Sequence, residues 1–477
     1  MKLFTIGDSL SQGYMSAAAA RTDLCYSTLI AQKMGLPSYD YPRWEAGGLP
    51  LNIEAILRHL QSKFGTDINW FEFPQAVLEV LDQLNISEEY YERGPGSINQ
   101  PYNLQTEFFH NVAISGFDVA DAWSVTAENC KAEIKVAPNG GNDRMQGPNA
   151  DFYRIANVVL NPSQKPEFDN FTQLDWYKYH AEREGVENLL LWLGSNHALG
   201  TVLGFKLNKT PNSGQDLTQL SHQEREQWNL WHPNDFQREY QGLLDRVDAV
   251  IQVNRAETSN VFIGTIPLVT IIPFAKGFGK EVQITHRADY SDEMLTSVYY
   301  EYYSYFFRDG QSKPRKGYLD KAQVLEIDET IREYNRVIRR LIAMKNQQYS
   351  QPRYHLVDTS KVLQDLAFKR NAGKPKYVLP DQFKQYPTFN TRFYSANQLG
   401  QLEKGGFFSL DGIHPTAIGQ GIIAHEFLKV MKDAGAVPDA ELNWDRIFSS
   451  DSLYTNPIAL MHELYEHDLV ANLLVKA

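Results

Sequence analysis

Two short segments at opposite ends of the chain carry the residue types that nucleophilic catalysis requires. Ser9 lies in the segment 7–13, which reads Gly-Asp-Ser-Leu-Ser-Gln-Gly and follows a short apolar run. A serine hydroxyl is a weak nucleophile and needs a neighbouring base. His414, in the Asp-Gly-Ile-His-Pro segment 411–415, is a candidate base, and Asp411 is placed to orient its imidazole through Nδ1–H. Each segment alone is also typical of a helix cap or a turn.

Two further segments could supply donors to a negatively charged oxygen. The side-chain amide of Asn196, in Gly-Ser-Asn-His at 194–197, could stabilise a tetrahedral oxyanion. Gly116, which ends the segment 111–116, allows close backbone approach and offers its N–H. Taken singly, each segment is more often a turn that ends a strand. Asp8 and His197 flank these groups and are candidate substrate contacts, although packing within its loop is the favoured role for His197.

The elements that must position these residues alternate between short apolar runs and longer helical patterns. This order predicts an α/β fold with a mainly parallel, five-stranded sheet covered by helices on both faces. Ligands of such sheets bind beyond the carboxyl ends of the strands, which is where the candidate residues fall. The predicted strands are Leu3–Ile6, Phe108–Ile114, Asn188–Leu193, Val261–Ile266 and Tyr354–Val357. The predicted helices are Thr22–Met34, Pro74–Leu84, Phe236–Val253, Glu329–Met344 and Ala417–Met431.

Taken together, the four segments supply Ser, Gly, Asn and His in that order, and the sequence resembles the GDSL/SGNH hydrolase family. The segment 414–419 (His-Pro-Thr-Ala-Ile-Gly) is also similar to the last motif of that family. The resemblance implies a flavodoxin-like α/β/α sandwich. It assigns Ser9 as nucleophile and first oxyanion donor, Gly116 and Asn196 as the other donors, His414 as base and Asp411 as its orienting carboxylate. The sequence departs at His197, where the family commonly has aspartate.

The resemblance implies a carboxylic-ester hydrolase of lipase or esterase type that acts on a small-molecule or lipid ester through an acyl-enzyme. Carbohydrate O-deacetylation, thioester hydrolysis and acyl transfer use the same groups and remain alternatives, as does a silent binding protein on this fold. This mechanism requires no metal or other cofactor, and the histidines lack metal-ligand spacings such as His-Glu-x-x-His.

The chain of 477 residues allows several domains, but its pattern favours one. We predict a single domain over 1–435 with insertions at about 125–187, 200–232, 275–325 and 367–405, where polar, loop-like or irregular sequence dominates. Residues 436–477 are expected to form a helical extension packed on the core, with a helix over Asn456–Val475. The aromatic run Tyr299–Phe307 predicts an amphipathic helix with one face in the core, and the alternative is a pocket wall or lid.

Composition excludes some classes of partner and context. The net charge of -12 disfavours nucleic acid, because phosphates would be repelled on average. Cys25 and Cys130 are too few for a disulfide framework and are predicted to be small buried residues. The apolar run after Lys2 is too short for a secretory signal, and no run reaches the length of a transmembrane helix. We therefore expect a protein that is cytoplasmic or otherwise soluble.

Overall fold

The computed structural model describes every residue except 67, 70, 94–105, 135–149, 289–292, 306–315, 386–394, 397–401, 405 and 461–477. The described strands are β1 (Phe4–Gly7), β2 (Tyr14–Met15), β3 (Ala18–Ala19), β4 (Leu49–Pro50), β5 (Asn188–Trp192), β6 (Asn260–Gly264), β7 (Ala275–Arg287), β8 (Met294–Tyr305), β9 (Leu319–Asp320), β10 (Tyr354–Val357), β11 (Ser395–Ala396) and β12 (Leu402–Lys404). The described helices are α1 (Ser9–Gln12), α2 (Tyr26–Lys33), α3 (Ile53–Phe64), α4 (Phe73–Arg93), α5 (Asp121–Ser124), α6 (Ala127–Glu133), α7 (Ala150–Leu160), α8 (Gln173–Arg183), α9 (Asn196–Gly204), α10 (His222–Arg225), α11 (Pro233–Val253), α12 (Lys321–Asn346), α13 (Thr359–Leu366), α14 (Ala417–Asp433), α15 (Trp444–Ser450) and α16 (Ser452–Thr455).

The centre of the fold is a four-stranded parallel sheet in the order β1-β5-β6-β10. Its strands are apolar on both faces, as strands buried between helical layers are. Phe4 on one face stacks on Tyr177 of α8. Trp192 on the opposite face meets Tyr26 of α2 and Phe427 of α14. Helices thus cover both faces, and the general α/β prediction is confirmed.

The second predicted strand is only partly formed. The backbone of 110–114 runs parallel to β1 on its outer side, with hydrogen bonds from Thr5 N–H to His110 O, from Val112 N–H to Thr5 O and from Ile114 N–H to Gly7 O. Only the bridge between Thr5 and Asn111 is regular. The side-chain amide of Gln173 donates to Val112 O at 2.6 Å and to Gly7 O at 3.0 Å, and so takes acceptors that a regular ladder would use. The expected five-stranded sheet is therefore four strands with an irregular edge segment.

Two predictions about the insertions were wrong. The span 125–187, read as loop-like, contains α6, α7 and α8. The aromatic run, read as a helix, lies in β8, which pairs antiparallel with β7, and its residues 306 and 307 lie outside the described part. Aromatic side chains favour a pleated surface, and this preference outweighs the helical spacing. Tyr299 and Tyr303 are buried in this hairpin.

The remaining expectations concern the cysteines, the C-terminal region and membranes. Cys25 and Cys130 are buried and form no disulfide, as predicted. Leu453, Ile458 and Leu460 pack with apolar residues of α3 and α4, but most of the predicted helix after Asn456 lies outside the described residues. Among the residues that are described, no helix combines the length and hydropathy needed to cross a bilayer.

Candidate active site

Ser9 is held at the carboxyl end of β1 by a very short connection. The Asp8 carboxylate caps α1 by accepting the Leu10 N–H at 3.0 Å, so that Ser9 is the first residue of the helix. Gly7 permits this tight turn, since a Cβ there would lie 2.3 Å from Ser11 Oγ. Ser9 is 7% exposed, which places its hydroxyl at the edge of the protein interior.

The last loop of the domain brings His414 to this serine. His414 Nε2 lies 3.0 Å from Ser9 Oγ, and His414 Nδ1 lies 2.9 Å from Asp411 Oδ2. In the tautomer that donates Nδ1–H to the carboxylate, the lone pair of Nε2 faces the serine hydroxyl. The structure therefore brings Ser9, His414 and Asp411 together in one hydrogen-bonded series, which we call the Ser–His–Asp series.

Asp411 is held as an anion by several donors. Its Oδ1 accepts the N–H groups of Ile413 and His414, both at 2.8 Å, and the Ser409 hydroxyl at 3.2 Å. Its Oδ2 accepts the N–H of Ala17 at 2.9 Å as well as the imidazole. Burial alone would raise the pKa of Asp411, but the charge of His414 and these hydrogen bonds lower it below its ordinary value.

Three residues that support Asp411 were not found from the sequence. Ser16 and Ala17 form the tip of the β2–β3 hairpin, both with positive φ (52° and 62°). Ser16 N–H donates to Ser409 Oγ at 2.8 Å, and the Ala17 N–H reaches Asp411. A backbone donor leaves no mark on the sequence, and neither Ser nor Ala is typical of a turn with positive φ, so no signal pointed to this contact.

An aromatic ring also lies against the histidine. The ring of Tyr14, which is half-buried on β2, lies 4.6 Å from the His414 imidazole between centroids, at an angle of 51°. This contact limits rotation of the imidazole. Tyr14 could not be singled out from the sequence, because one tyrosine just after a turn is common.

The loop of Gly116, one of the groups predicted to bind an oxyanion, lies near the carboxyl end of β1, since Ile114 N–H donates to Gly7 O and Ser115 N–H donates to Gln12 Oε1. Gly116 has φ +84°, and a Cβ there would lie 3.0 Å from the Phe152 ring, so the position accommodates glycine far better than any larger residue. The first residue of α9, Asn196, donates one amide hydrogen to Phe117 O at 2.6 Å and retains a second. Among the described residues, the N–H groups of Ser9 and Gly116 have no acceptor.

Neither candidate substrate contact is accessible. Asp8 is 0% exposed, and this burial raises its pKa to about 7. His197 is 1% exposed, and its Nε2 is hydrogen-bonded to Glu239 Oε2 of α11. Burial alone would lower the pKa of His197, but the Glu239 carboxylate raises it. Both side chains therefore lie in the interior, where His197 is packed and hydrogen-bonded, and their contact with a substrate stays a prediction.

A buried charged cluster lies behind the Gly116 loop. Asp118, Asp121 and His222 have ligand atoms within 4.8 Å of one another, but Arg225 Nε donates to Asp118 Oδ2 at 2.8 Å and its Nη2 donates to Asp121 Oδ1. His222 Nδ1 lies 2.8 Å from Asp121 Oδ2. These contacts lower the pKa of Asp118 to about 2 and raise that of His222 to about 10, against the effect of burial. The cluster is a charge-balanced ion-pair network.

Comparison with known proteins adds no assignment, since no family model, curated protein or solved structure matches this chain. The chemistry of the site must be argued from the side chains themselves. The site provides a hydroxyl, an imidazole, an ionised carboxylate, two backbone N–H groups and a side-chain amide hydrogen near the end of one strand. This set can activate an oxygen nucleophile and stabilise negative charge on a carbonyl oxygen.

Proposed function

We propose that the chain is a serine ester hydrolase of the GDSL/SGNH type. The observation that carries this proposal is the Ser–His–Asp series, with 3.0 Å between Ser9 Oγ and His414 Nε2 and 2.9 Å between His414 Nδ1 and Asp411 Oδ2. Both distances lie within the range in which a general base takes a proton from a nucleophile. The ionised state of Asp411 supports the same assignment, because a carboxylate is needed to orient and stabilise an imidazolium.

The proposed reaction proceeds through an acyl-enzyme. His414 Nε2 takes the hydroxyl proton of Ser9 as Oγ attacks the ester carbonyl carbon, and the carbonyl oxygen becomes an oxyanion. The oxyanion collapses, the carbon–oxygen bond to the alcohol breaks, and His414 returns the proton to the departing alkoxide. Water then attacks the acyl-enzyme with His414 as base, and collapse of the second oxyanion releases the acid and restores Ser9.

Three donors are assigned to the oxyanion in this mechanism. They are the N–H groups of Ser9 and Gly116 and the second amide hydrogen of Asn196, which come from three separate segments. Fixed donors of this kind act mainly on the transition state, because the carbonyl oxygen gains its charge only there. Removal of one donor typically costs on the order of 10²–10³ in kcat.

The order of the sheet also supports the proposal. With the 110–114 segment outside β1, the parallel segments follow the order 2-1-3-4-5 of flavodoxin-like folds, whose ligands bind at the carboxyl ends of the strands. Ser9, Gly116 and Asn196 follow the carboxyl ends of three adjacent segments of this order. The family assignment rests on this arrangement together with the sequence resemblance, and an acyl ester is the substrate class that it implies.

Substitution of the nucleophile tests the proposal directly. We expect Ser9→Ala to reduce kcat/KM for p-nitrophenyl acetate by roughly 10⁴-fold or more, and to abolish labelling by a fluorophosphonate probe. Ser449→Ala is the matched control, since Ser449 is exposed on α15 and bonds only within its own helix. Equal labelling and hydrolysis by wild type and Ser9→Ala would reject the assignment of Ser9.

A wild-type protein that is folded but neither labelled nor active would instead be a silent binding protein. For an active protein, a panel of p-nitrophenyl esters of increasing chain length, an acetylated sugar and an acyl thioester would separate esterase, deacetylase and thioesterase activity. Addition of a primary alcohol would detect acyl transfer, because transfer to the alcohol lowers the yield of free acid at constant p-nitrophenol release.

A further inference from the structure

Glu239 connects the two loops to which Gly116 and Asn196 belong. This residue lies in the first half of α11, and its two carboxylate oxygens bond in different directions. Oε1 accepts the N–H of Ala120 at 2.8 Å, four residues beyond Gly116. Oε2 is hydrogen-bonded to Nε2 of His197, the residue that follows Asn196. One carboxylate thus bonds both segments that carry the proposed oxyanion donors.

A third contact closes this arrangement. Asn196 Nδ2 donates to Phe117 O at 2.6 Å, so the amide of one segment is bonded directly to the backbone that follows Gly116. The orientation of Asn196 therefore depends on where the loop 116–120 lies relative to the start of α9. Glu239 fixes that relative position from a helix of 21 residues, which is a more rigid support than either loop.

The bridge is enclosed by the core. Glu239 is 0% exposed and His197 is 1% exposed. The imidazole of His197 meets the rings of Trp231 at 4.7 Å and Phe236 at 5.3 Å between centroids. A buried ion pair of this kind is a poor source of stability compared with apolar packing, and it is retained where it fixes a geometry. What it fixes here is the separation of two loops beside Ser9.

We propose that Glu239 and His197 are positioning residues that hold the Gly116 loop and the Asn196 loop in the relative positions that an oxyanion hole requires. This inference rests on the proposed function, because the oxyanion hole is part of it. Neither side chain reaches the substrate, and both act through the donors that they position. Glu239 reaches the two loops from α11 through Ala120 N–H and His197 Nε2.

Three variants separate positioning from general destabilisation. We expect Glu239→Ala to lower kcat by about 10- to 100-fold with KM within about threefold, because only transition-state stabilisation is lost. Glu239→Gln can still accept from Ala120 and pair with a neutral imidazole, so it should retain kcat within about tenfold of wild type. Asp235→Ala is the matched control, since Asp235 is a buried carboxylate of the same helix that bonds Asn212 and neither loop.

A double-mutant cycle with Asn196→Ala gives a readout that a purely structural role would not change. If Glu239 acts through the oxyanion hole, the two losses should not be independent. The fold-decrease in kcat of the double variant should then be at least about fivefold smaller than the product of the two single fold-decreases. Independent destabilisation predicts losses that multiply. If Glu239→Ala does not fold, His197→Phe serves in its place, since phenylalanine fills the ring site between Trp231 and Phe236 but cannot pair with Glu239.

Two results would overturn the inference. One is a folded Glu239→Ala or His197→Phe variant that keeps kcat within threefold of wild type. The other is a loss that multiplies with that of Asn196→Ala and is matched by Asp235→Ala. Failure of the proposed function is distinguishable, because the wild-type protein would then show neither ester hydrolysis nor probe labelling at Ser9, before any of these variants is compared.

Discussion

His414 Nε2 lies 3.0 Å from Ser9 Oγ, although 405 positions separate the two residues in the chain. The contact depends on how α14 is docked. Gln420 on this helix accepts the Tyr26 N–H at 3.0 Å and donates to Leu10 O at 3.2 Å, which ties the helix to the segment around Ser9. The stacking of Tyr26 on Phe427 reinforces the same interface. The proposed base thus reaches the nucleophile because the last core helix packs against the first turn.

If the proposed function holds, Asp411→Asn should reduce kcat by roughly 10³- to 10⁴-fold with little change in KM, as loss of the orienting carboxylate does in known serine hydrolases. The hydrogen bonds of the Asp411 carboxylate explain why asparagine cannot replace it. Both carboxylate oxygens accept from at least two N–H donors, so either orientation of an asparagine amide would turn its NH₂ group toward donors. Steady-state kinetics with p-nitrophenyl acetate measures the effect.

Ser409→Ala is the control for that substitution. It removes one hydroxyl donor to Asp411, at 3.2 Å, and the acceptor of the Ser16 N–H, and leaves the hydrogen bond between Asp411 and His414 in place. We expect a decrease in kcat of less than about tenfold, because the N–H groups of Ala17, Ile413 and His414 still hold the carboxylate after this one hydrogen bond is lost. An Asp411→Asn variant that is no slower than Ser409→Ala would contradict the proposed role of Asp411.

Gly116→Ala should impair both stability and catalysis. Alanine at φ +84° costs about 1–2 kcal/mol in backbone strain, and its Cβ would lie 3.0 Å from the Phe152 ring, so the loop must shift. Since the N–H of Gly116 is a proposed oxyanion donor, we expect kcat to fall by about tenfold or more. Urea unfolding and steady-state kinetics report the two effects separately.

Gly435→Ala isolates the backbone part of this effect. Gly435 follows α14 with φ +75°, and nothing lies within 4 Å of a Cβ built there. This substitution should reduce the free energy of unfolding by about 1–2 kcal/mol while leaving kcat unchanged. If Gly435→Ala lowers kcat as much as Gly116→Ala does, strain alone explains the loss and the donor role of Gly116 is not supported.

The strands that are buried at every position could be predicted from the sequence. Strands such as Leu189–Leu191 are apolar at every position, so their place in a parallel sheet could be recognised from composition. The hairpin β7–β8 could not be recognised, because its pairing is set by contacts along its length and by the buried Tyr299 and Tyr303, while its sequence lacks strict alternation. The segment Phe108–Ile114 was predicted as a full strand, since the bonds of Gln173 to Gly7 O and Val112 O are visible only in three dimensions.

The candidate site divides in the same way. Ser9, His414, Asp411, Gly116 and Asn196 were singled out because their types and order are those of a recognisable motif, and the structure places them around the carboxyl end of β1. Their supports were not predictable, because Ala17 contributes a backbone N–H and Glu239 is one acidic residue among many on a long helix. The interior positions of Asp8 and His197 were not predictable either, because burial of a polar residue cannot be read from its type.

The raised pKa of Asp8 predicts a defined pH dependence of stability. Between its ordinary value near 3.8 and about 7, the folded protein keeps a proton on Asp8 that the unfolded chain releases. Stability must therefore fall as pH rises through this window. Asp8→Asn keeps the cap on α1 but removes the titration. From pH 5 to pH 8, the free energy of unfolding of Asp8→Asn should rise relative to wild type by about 2–3 kcal/mol.

Asp451→Asn provides the comparison that assigns this effect to Asp8. Asp451 is also buried and caps a helix, and burial raises its pKa only to about 6. The loss of stability caused by ionisation of Asp451 should therefore be complete about one pH unit below that caused by Asp8. Asp451→Asn should still show the decrease in the free energy of unfolding between pH 6 and pH 7. Urea unfolding at half-unit intervals from pH 5 to pH 8 resolves the two windows. Identical curves for Asp8→Asn and wild type above pH 6 would show that Asp8 is already ionised, and the buried, protonated carboxyl beside Ser9 would have to be abandoned.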